Sequence, residues 1–121
     1  MKKVLMIEDS PVDARMMSEI ISKNGFYVEV AKTANEGFEK AVAMNPNLIL
    51  LDLVLPDESG FDLCKRLRTK LGKDILIVAV SIKNELSDIN KAFDCGADDY
   101  VIKPPSPELL LRKVQLYLQV R

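Results

Sequence analysis

Histidine is missing altogether: none occurs among the 121 residues. Its absence removes the usual general base and any phosphohistidine carried by this chain. Cysteine is scarce. Cys64 and Cys95 both fall in helical patterns, and neither has the nearby Cys or His that a metal site would need. Buried free thiols in a reducing cytoplasm are the expectation. No apolar run is long enough to span a bilayer, and Met1-Lys2-Lys3 leads straight into a strand without a signal-peptide pattern. Charge of one sign is also lacking. With 17 basic and 18 acidic side chains the net charge is -1, so no basic excess points to nucleic acid and no acidic tail to disorder. Neither G-x-G-x-x-G nor G-x-x-x-x-G-K-[ST] occurs, which weakens a nucleotide-binding reading. No linker or low-complexity stretch interrupts the chain, and its length suits one domain with one core, residues 1–121.

What the chain does have is an alternation of short apolar runs and amphipathic stretches. Lys3–Glu8 reads as a strand ending in the acidic pair Glu8-Asp9. Ser10-Pro11 then caps a helix carrying Met16, Met17, Ile20 and Ile21 on one face, with Gly25 expected at its C′ position. Tyr27–Ala31 is a second strand. Thr33 and Glu36 form a capping-box pattern for a second helix, which Asn45-Pro46 ends. Leu48-Ile49-Leu50-Leu51 has no polar alternation, which suits a strand buried on both faces, and it delivers Asp52. Pro56 and Gly60 open a loop. A third helix is expected over about 60–71, with Phe61, Cys64, Leu67 and Leu71 inward.

Ile75–Ser81 is a further apolar strand ending in a hydroxyl, followed by a helix over 86–95 and Gly96. Asp99–Lys103 is the last strand, and Ser106-Pro107-Glu108 caps a final helix with Leu110, Val114 and Leu118 on one side. Five strand–helix repeats predict a parallel sheet covered on both faces, made doubly wound by right-handed crossovers.

In such a fold the strand ends emerge along one edge, where ligands bind. Four of them carry polar groups: Glu8-Asp9, Asp52, Ser81 and Lys103. Clustered carboxylates suit Mg²⁺, which takes about six oxygens at roughly 2.0–2.1 Å. A lysine and a hydroxyl beside it suit a phosphoryl group, and a carboxylate such as Asp52 can form an aspartyl phosphate. Taken singly these features are ordinary: a turn Asp, a solvated Lys, an acidic pair favouring a helix N-terminus. Their coincidence at four strand ends is not ordinary.

Over its whole length the chain resembles a receiver (CheY-like) domain of two-component response regulators. The resemblance rests on I-E-D-S-P, L-I-L-L-D-L-V-L-P-D-E-S-G, the Ser81 strand end and G-A-D-D-Y-V-I-K-P. It implies a flavodoxin-like five-stranded sheet in the order 2-1-3-4-5. It also implies phosphorylation of Asp52 by a histidine kinase or histidine phosphotransfer protein, a signalling role rather than an enzymatic one. Glu8, Asp9, Asp52 and the backbone carbonyl of Val54 carry over as the Mg²⁺ site, with Mn²⁺ as the alternative ion. Lys103 carries over as the phosphate-contacting lysine, and Ser81 and Tyr100 as switch residues. A cis Lys103-Pro104 bond is implied as well. The output surface would be the fourth helix, fifth strand and fifth helix, serving a downstream effector as a monomer or a phosphorylation-dependent dimer. Direct contact with nucleic acid or membrane is not expected.

Some positions depart from the common pattern. Glu8 replaces Asp, Ser81 replaces Thr, and Pro105 replaces a usual Phe. Ile82 stands where a small residue is usual and is expected to crowd the phosphoryl pocket. Ile89 and Leu109 occupy positions where winged-helix regulators carry paired charges. A haloacid-dehalogenase-type enzyme would need an acid two residues past Asp52, where Val54 stands. The remaining rival is a pseudo-receiver that only binds partners.

Overall fold

The structure, a computed structural model, describes residues 1–119. The domain expected over 1–121 therefore has its last two residues outside the described ones. The chain alternates strictly: β1 (Lys3–Ile7), α1 (Pro11–Ser22), β2 (Tyr27–Ala31), α2 (Ala34–Met44), β3 (Leu48–Leu51), α3 (Gly60–Leu71), β4 (Leu76–Ser81), α4 (Leu86–Asp94), β5 (Asp99–Ile102), α5 (Pro107–Tyr117). All neighbouring strands pair in parallel, in the order β2-β1-β3-β4-β5. This is the flavodoxin-like arrangement.

The pleat sorts the core into two layers, because alternate residues of a strand face opposite sides. Leu5, Ile7, Ile49, Leu51, Ile77 and Ala79 pack with Ala34 and Ala41 of α2, Phe61, Leu63, Cys64 and Leu67 of α3, and Ala92 of α4. Val4, Met6, Leu48, Leu50, Val78, Val80 and Val101 pack with Ala14, Met17 and Ile21 of α1 and with Leu110, Val114 and Leu118 of α5. Leu63, absent from the expected inward set, is fully buried, while Leu71 is only partly so.

Helix starts follow the side chains that satisfy the otherwise unpaired first N–H groups. Ser10, Thr33, Ser59 and Ser106 accept from Asp13, Glu36, Phe61 and Leu109 respectively. Glu36 answers from the Lys32 N–H at 2.8 Å, one residue further back than a strict capping box. The expected ends need small corrections. α1 is capped by Lys23, so Gly25 (φ 92°) lies in the turn beyond C′. α4 stops at Asp94 with Cys95 as its cap. β1 and β5 end one residue short of Glu8 and Lys103, and β4 begins at Leu76. Even so, the Glu8 and Lys103 N–H groups donate to Ala31 O (2.8 Å) and Ser81 O (2.9 Å). Both residues therefore remain held at the sheet edge. Among the described residues no helix is long and apolar enough to cross a membrane.

Candidate functional site

Strand register decides which side chains meet. Ile7 pairs with Leu51, so Glu8 and Asp52 leave the sheet side by side at its carboxyl edge, and Ser81 pairs with Ile102, so Lys103 leaves the same edge from β5, on the far side of β4. By pleat parity Glu8 and Asp52 continue the row of Val4, Met6, Leu48 and Leu50 on the α1–α5 face. Lys103 continues the parity of Val101 on the same face. Ser81 and Tyr100 share parity with Ala79 and belong to the α3–α4 face. The four polar strand ends thus form two adjoining groups.

In the first group the Lys103 ammonium lies 2.6 Å from Glu8 Oε1, 3.1 Å from Asp13 Oδ2 and 3.2 Å from Asp52 Oδ2. The Glu8 contact is an ion pair without hydrogen-bond geometry. The side chains of Lys103, Glu8 and Asp52 are 8%, 1% and 6% exposed. Three carboxylates around one ammonium leave excess negative charge in a site with little water. Burial, aided by Asp52 alongside and only partly offset by Lys103, pushes Glu8 up to about 7. Burial would lower Lys103, but Glu8, Asp13 and Asp52 overcome it and hold the ammonium above its ordinary range. The Lys103-Pro104 bond is cis.

Glu8, Asp9 and Asp52 each offer an oxygen within 4.8 Å of one another, with Asp9 exposed. An all-carboxylate set with excess negative charge fits a hard divalent cation such as Mg²⁺. The loop after Asp52 is pinned around it. The Val54 N–H donates to Asp52 Oδ1 at 3.0 Å, and Val54 bridges Ser59. Gly60 lies so close that a methyl group there would stand 2.5 Å from Asp52 O. Asp57, in the same loop, accepts from the Ala34 and Asn35 N–H groups at the start of α2 (2.8 and 3.0 Å). Those bonds hold its carboxyl below the usual range.

The second group is built on Lys83. Ser81 Oγ accepts from its N–H at 3.3 Å, and the Tyr100 hydroxyl donates to its carbonyl at 2.6 Å. Both expected switch residues therefore grip one residue of the β4–α4 loop, and Tyr100 already reaches it. Ile82 is 67% exposed and Val54 46%. Pro105 is buried. Asp13 escaped the sequence reading. Its only local signal was an acid in the first turn of a helix, which commonly serves the helix itself.

Comparison with known proteins gives one answer. A family model described as the response regulator receiver domain matches residues 4–115. The chain is 35% identical to the DNA-binding dual master transcriptional regulator RpaA of Synechocystis, over 98% of this chain and 50% of that protein. It is similar to a receiver domain protein (CheY-like) from Methanospirillum hungatei, with a TM-score of 0.92, 31% identity, and 98% of this chain and 94% of that one covered. A two-component response regulator from Clostridium difficile gives a TM-score of 0.93 at 29% identity, with 98% and 97% covered. The chain spans about half the length of the curated relatives it matches.

Proposed function

Since the chain belongs to the response regulator receiver domain family, we propose that Asp52 accepts a phosphoryl group from a phosphohistidine on a histidine kinase or histidine phosphotransfer protein. The observation that carries this reading is the placement of Asp52. It is nearly buried at the end of the central strand, 3.2 Å from Lys103 and within 4.8 Å of the Glu8 and Asp9 oxygens. An Asp52 oxygen forms the new P–O bond as the donor's N–P bond breaks, the electron pair returning to the donor imidazole. Such a transfer needs positioning and charge neutralisation more than a base, which agrees with a chain that has no histidine.

Glu8, Asp9, Asp52 and the Val54 carbonyl would hold Mg²⁺, or Mn²⁺, which supplies charge neutralisation at the phosphoryl oxygens when bound. Lys103 offers a fixed positive charge 3.2 Å from Asp52. Ser81 turns its hydroxyl from the Lys83 N–H to a phosphoryl oxygen, freeing the β4–α4 loop that Tyr100 also holds. The change then reaches α4, β5 and α5, the surface offered to an effector or to a second copy. A phosphohistidine donor and two free buried thiols both accord with a cytoplasmic domain.

Incubation with acetyl phosphate and Mg²⁺ tests the reading. Intact-mass measurement is expected to show one added phosphoryl group, acid-stable and base-labile, on the wild type and none on Asp52→Asn. Undiminished labelling of a folded Asp52→Asn protein would overturn the assignment.

A further inference from the structure

Lys103 touches three carboxylates, and they are not equivalent. Glu8 and Asp52 belong to the trio that can converge on a cation, whereas Asp13 does not. Asp13 comes from a different element, the first turn of α1, and reaches a residue 90 positions away at 3.1 Å. Its backbone is fixed independently, since its N–H donates to the capping Ser10 Oγ at 3.3 Å. The carboxylate is thus aimed at Lys103 from a rigid base, with the Asp13 side chain 35% exposed and the Lys103 side chain 8% exposed.

A divalent cation seated among Glu8, Asp9 and Asp52 draws on two of the three carboxylates that hold Lys103. An ammonium left without them, on a side chain only 8% exposed, has little water to turn to. We propose that Asp13 is a positioning residue that keeps the Lys103 ammonium in place when Glu8 and Asp52 give their oxygens to a divalent cation. This rests on the reading of Glu8, Asp9 and Asp52 as a Mg²⁺ site. With Asp13 present, cation binding exchanges two of three partners of Lys103. Without it, the cation and the ammonium compete for Glu8 and Asp52, and the cation binds more weakly.

A simple alternative is that Asp13 acts only as one more negative charge near the ion. A double-mutant cycle separates the two. Mg²⁺ affinity is measured by calorimetry for the wild type, Asp13→Asn, Lys103→Met and the double variant at one ionic strength, with thermal unfolding as the check on folding. Asp13→Asn is expected to weaken Mg²⁺ about fivefold with Lys103 present, a size set by one partly exposed ion pair. With Met at position 103 the same change should have under half that effect. Asp13→Glu should retain most of the affinity. Equal losses in both backgrounds, or no loss in either, would overturn the role given to Asp13. Failure of the wild type to bind Mg²⁺ would instead remove the metal-site reading beneath it.

Discussion

Two cations tie helices and loops to opposite ends of the same sheet, and they do so in different ways. At the amino ends of the strands, Arg68 of α3 donates to the carbonyls of Gly72, Ile75 and Gly96 and to Asp98 Oδ2, at 2.6–3.1 Å. Asp98 Oδ2 in turn accepts the Ile77 N–H at 2.8 Å. One guanidinium is matched by neutral carbonyls and a single carboxylate, so the charges balance. At the carboxyl ends, Lys103 faces Glu8, Asp13 and Asp52 and the charges do not balance. A satisfied polar network fixes geometry. An unbalanced one, with excess negative charge, holds free energy that a bound cation can release. The first is a staple and the second is the candidate site.

The largest effect that could break this contrast is at Lys103. Lys103→Met is expected to slow phosphorylation by acetyl phosphate about 100-fold, the usual scale for removing one preorganised electrostatic partner. Its unfolding midpoint in Mg²⁺ should move less than that of an Arg68 variant. A rate within twofold of wild type would remove Lys103 from the chemistry.

Arg68→Met is the converse test. It leaves three carbonyls and Asp98 short of a donor, and urea denaturation should show a loss of about 2 kcal/mol, discounted for partial exposure. Phosphorylation of the folded fraction should be unchanged. A slowed reaction with normal stability would mean that the two ends of the sheet are not separate.

A smaller effect concerns the lifetime of the aspartyl phosphate. Val54 and Lys83 are the residues two past Asp52 and Ser81. The Val54 side chain offers no hydrogen bond to orient an attacking water, and the Lys83 side chain is a donor only. Val54→Asn/Lys83→Glu should release phosphate up to about tenfold faster, roughly 1.4 kcal/mol of barrier. A double variant that decays no faster would defeat the explanation.

The smallest test uses a third, balanced cluster, in which Asp99 accepts from Lys113 Nζ at 2.6 Å and from the hydroxyl of Tyr117. Burial alone would raise Asp99. Lys113, Tyr117 and the Tyr100 N–H outweigh it and hold the carboxyl below its ordinary range. A lowered folded value means that stability is present at neutral pH and lost as pH falls through the ordinary carboxylate range, about 3.9, toward that value. Urea midpoints across acid pH should fall less steeply for Asp99→Asn than for wild type. Parallel curves would show that the cluster contributes nothing in solution.

The site was legible where it follows the strands. Asp52 could be placed because Leu48–Leu51 is wholly apolar and ends abruptly in a charge. Glu8 and Lys103 came from the same reasoning, whereas the division into a Glu8–Asp52–Lys103 group and a Ser81–Tyr100 group needed the strand register. The bulk of Ile82 was visible in the sequence, but its exposure was not, because the path of the chain beyond β4 is not periodic.

Local chemistry in the sequence determined the rest of the scaffold: which residues cap helices, where runs are long enough to be strands, and which face of each element is apolar. These depend on neighbours a few positions apart. Only the tertiary structure decided that Asp13 meets Lys103 across 90 positions and that Arg68 gathers carbonyls preceding two different strands. Such contacts depend on the angle at which a helix crosses the sheet and on the reach of long side chains. Neither is written in any local pattern, and both are fixed only when the two apolar layers close.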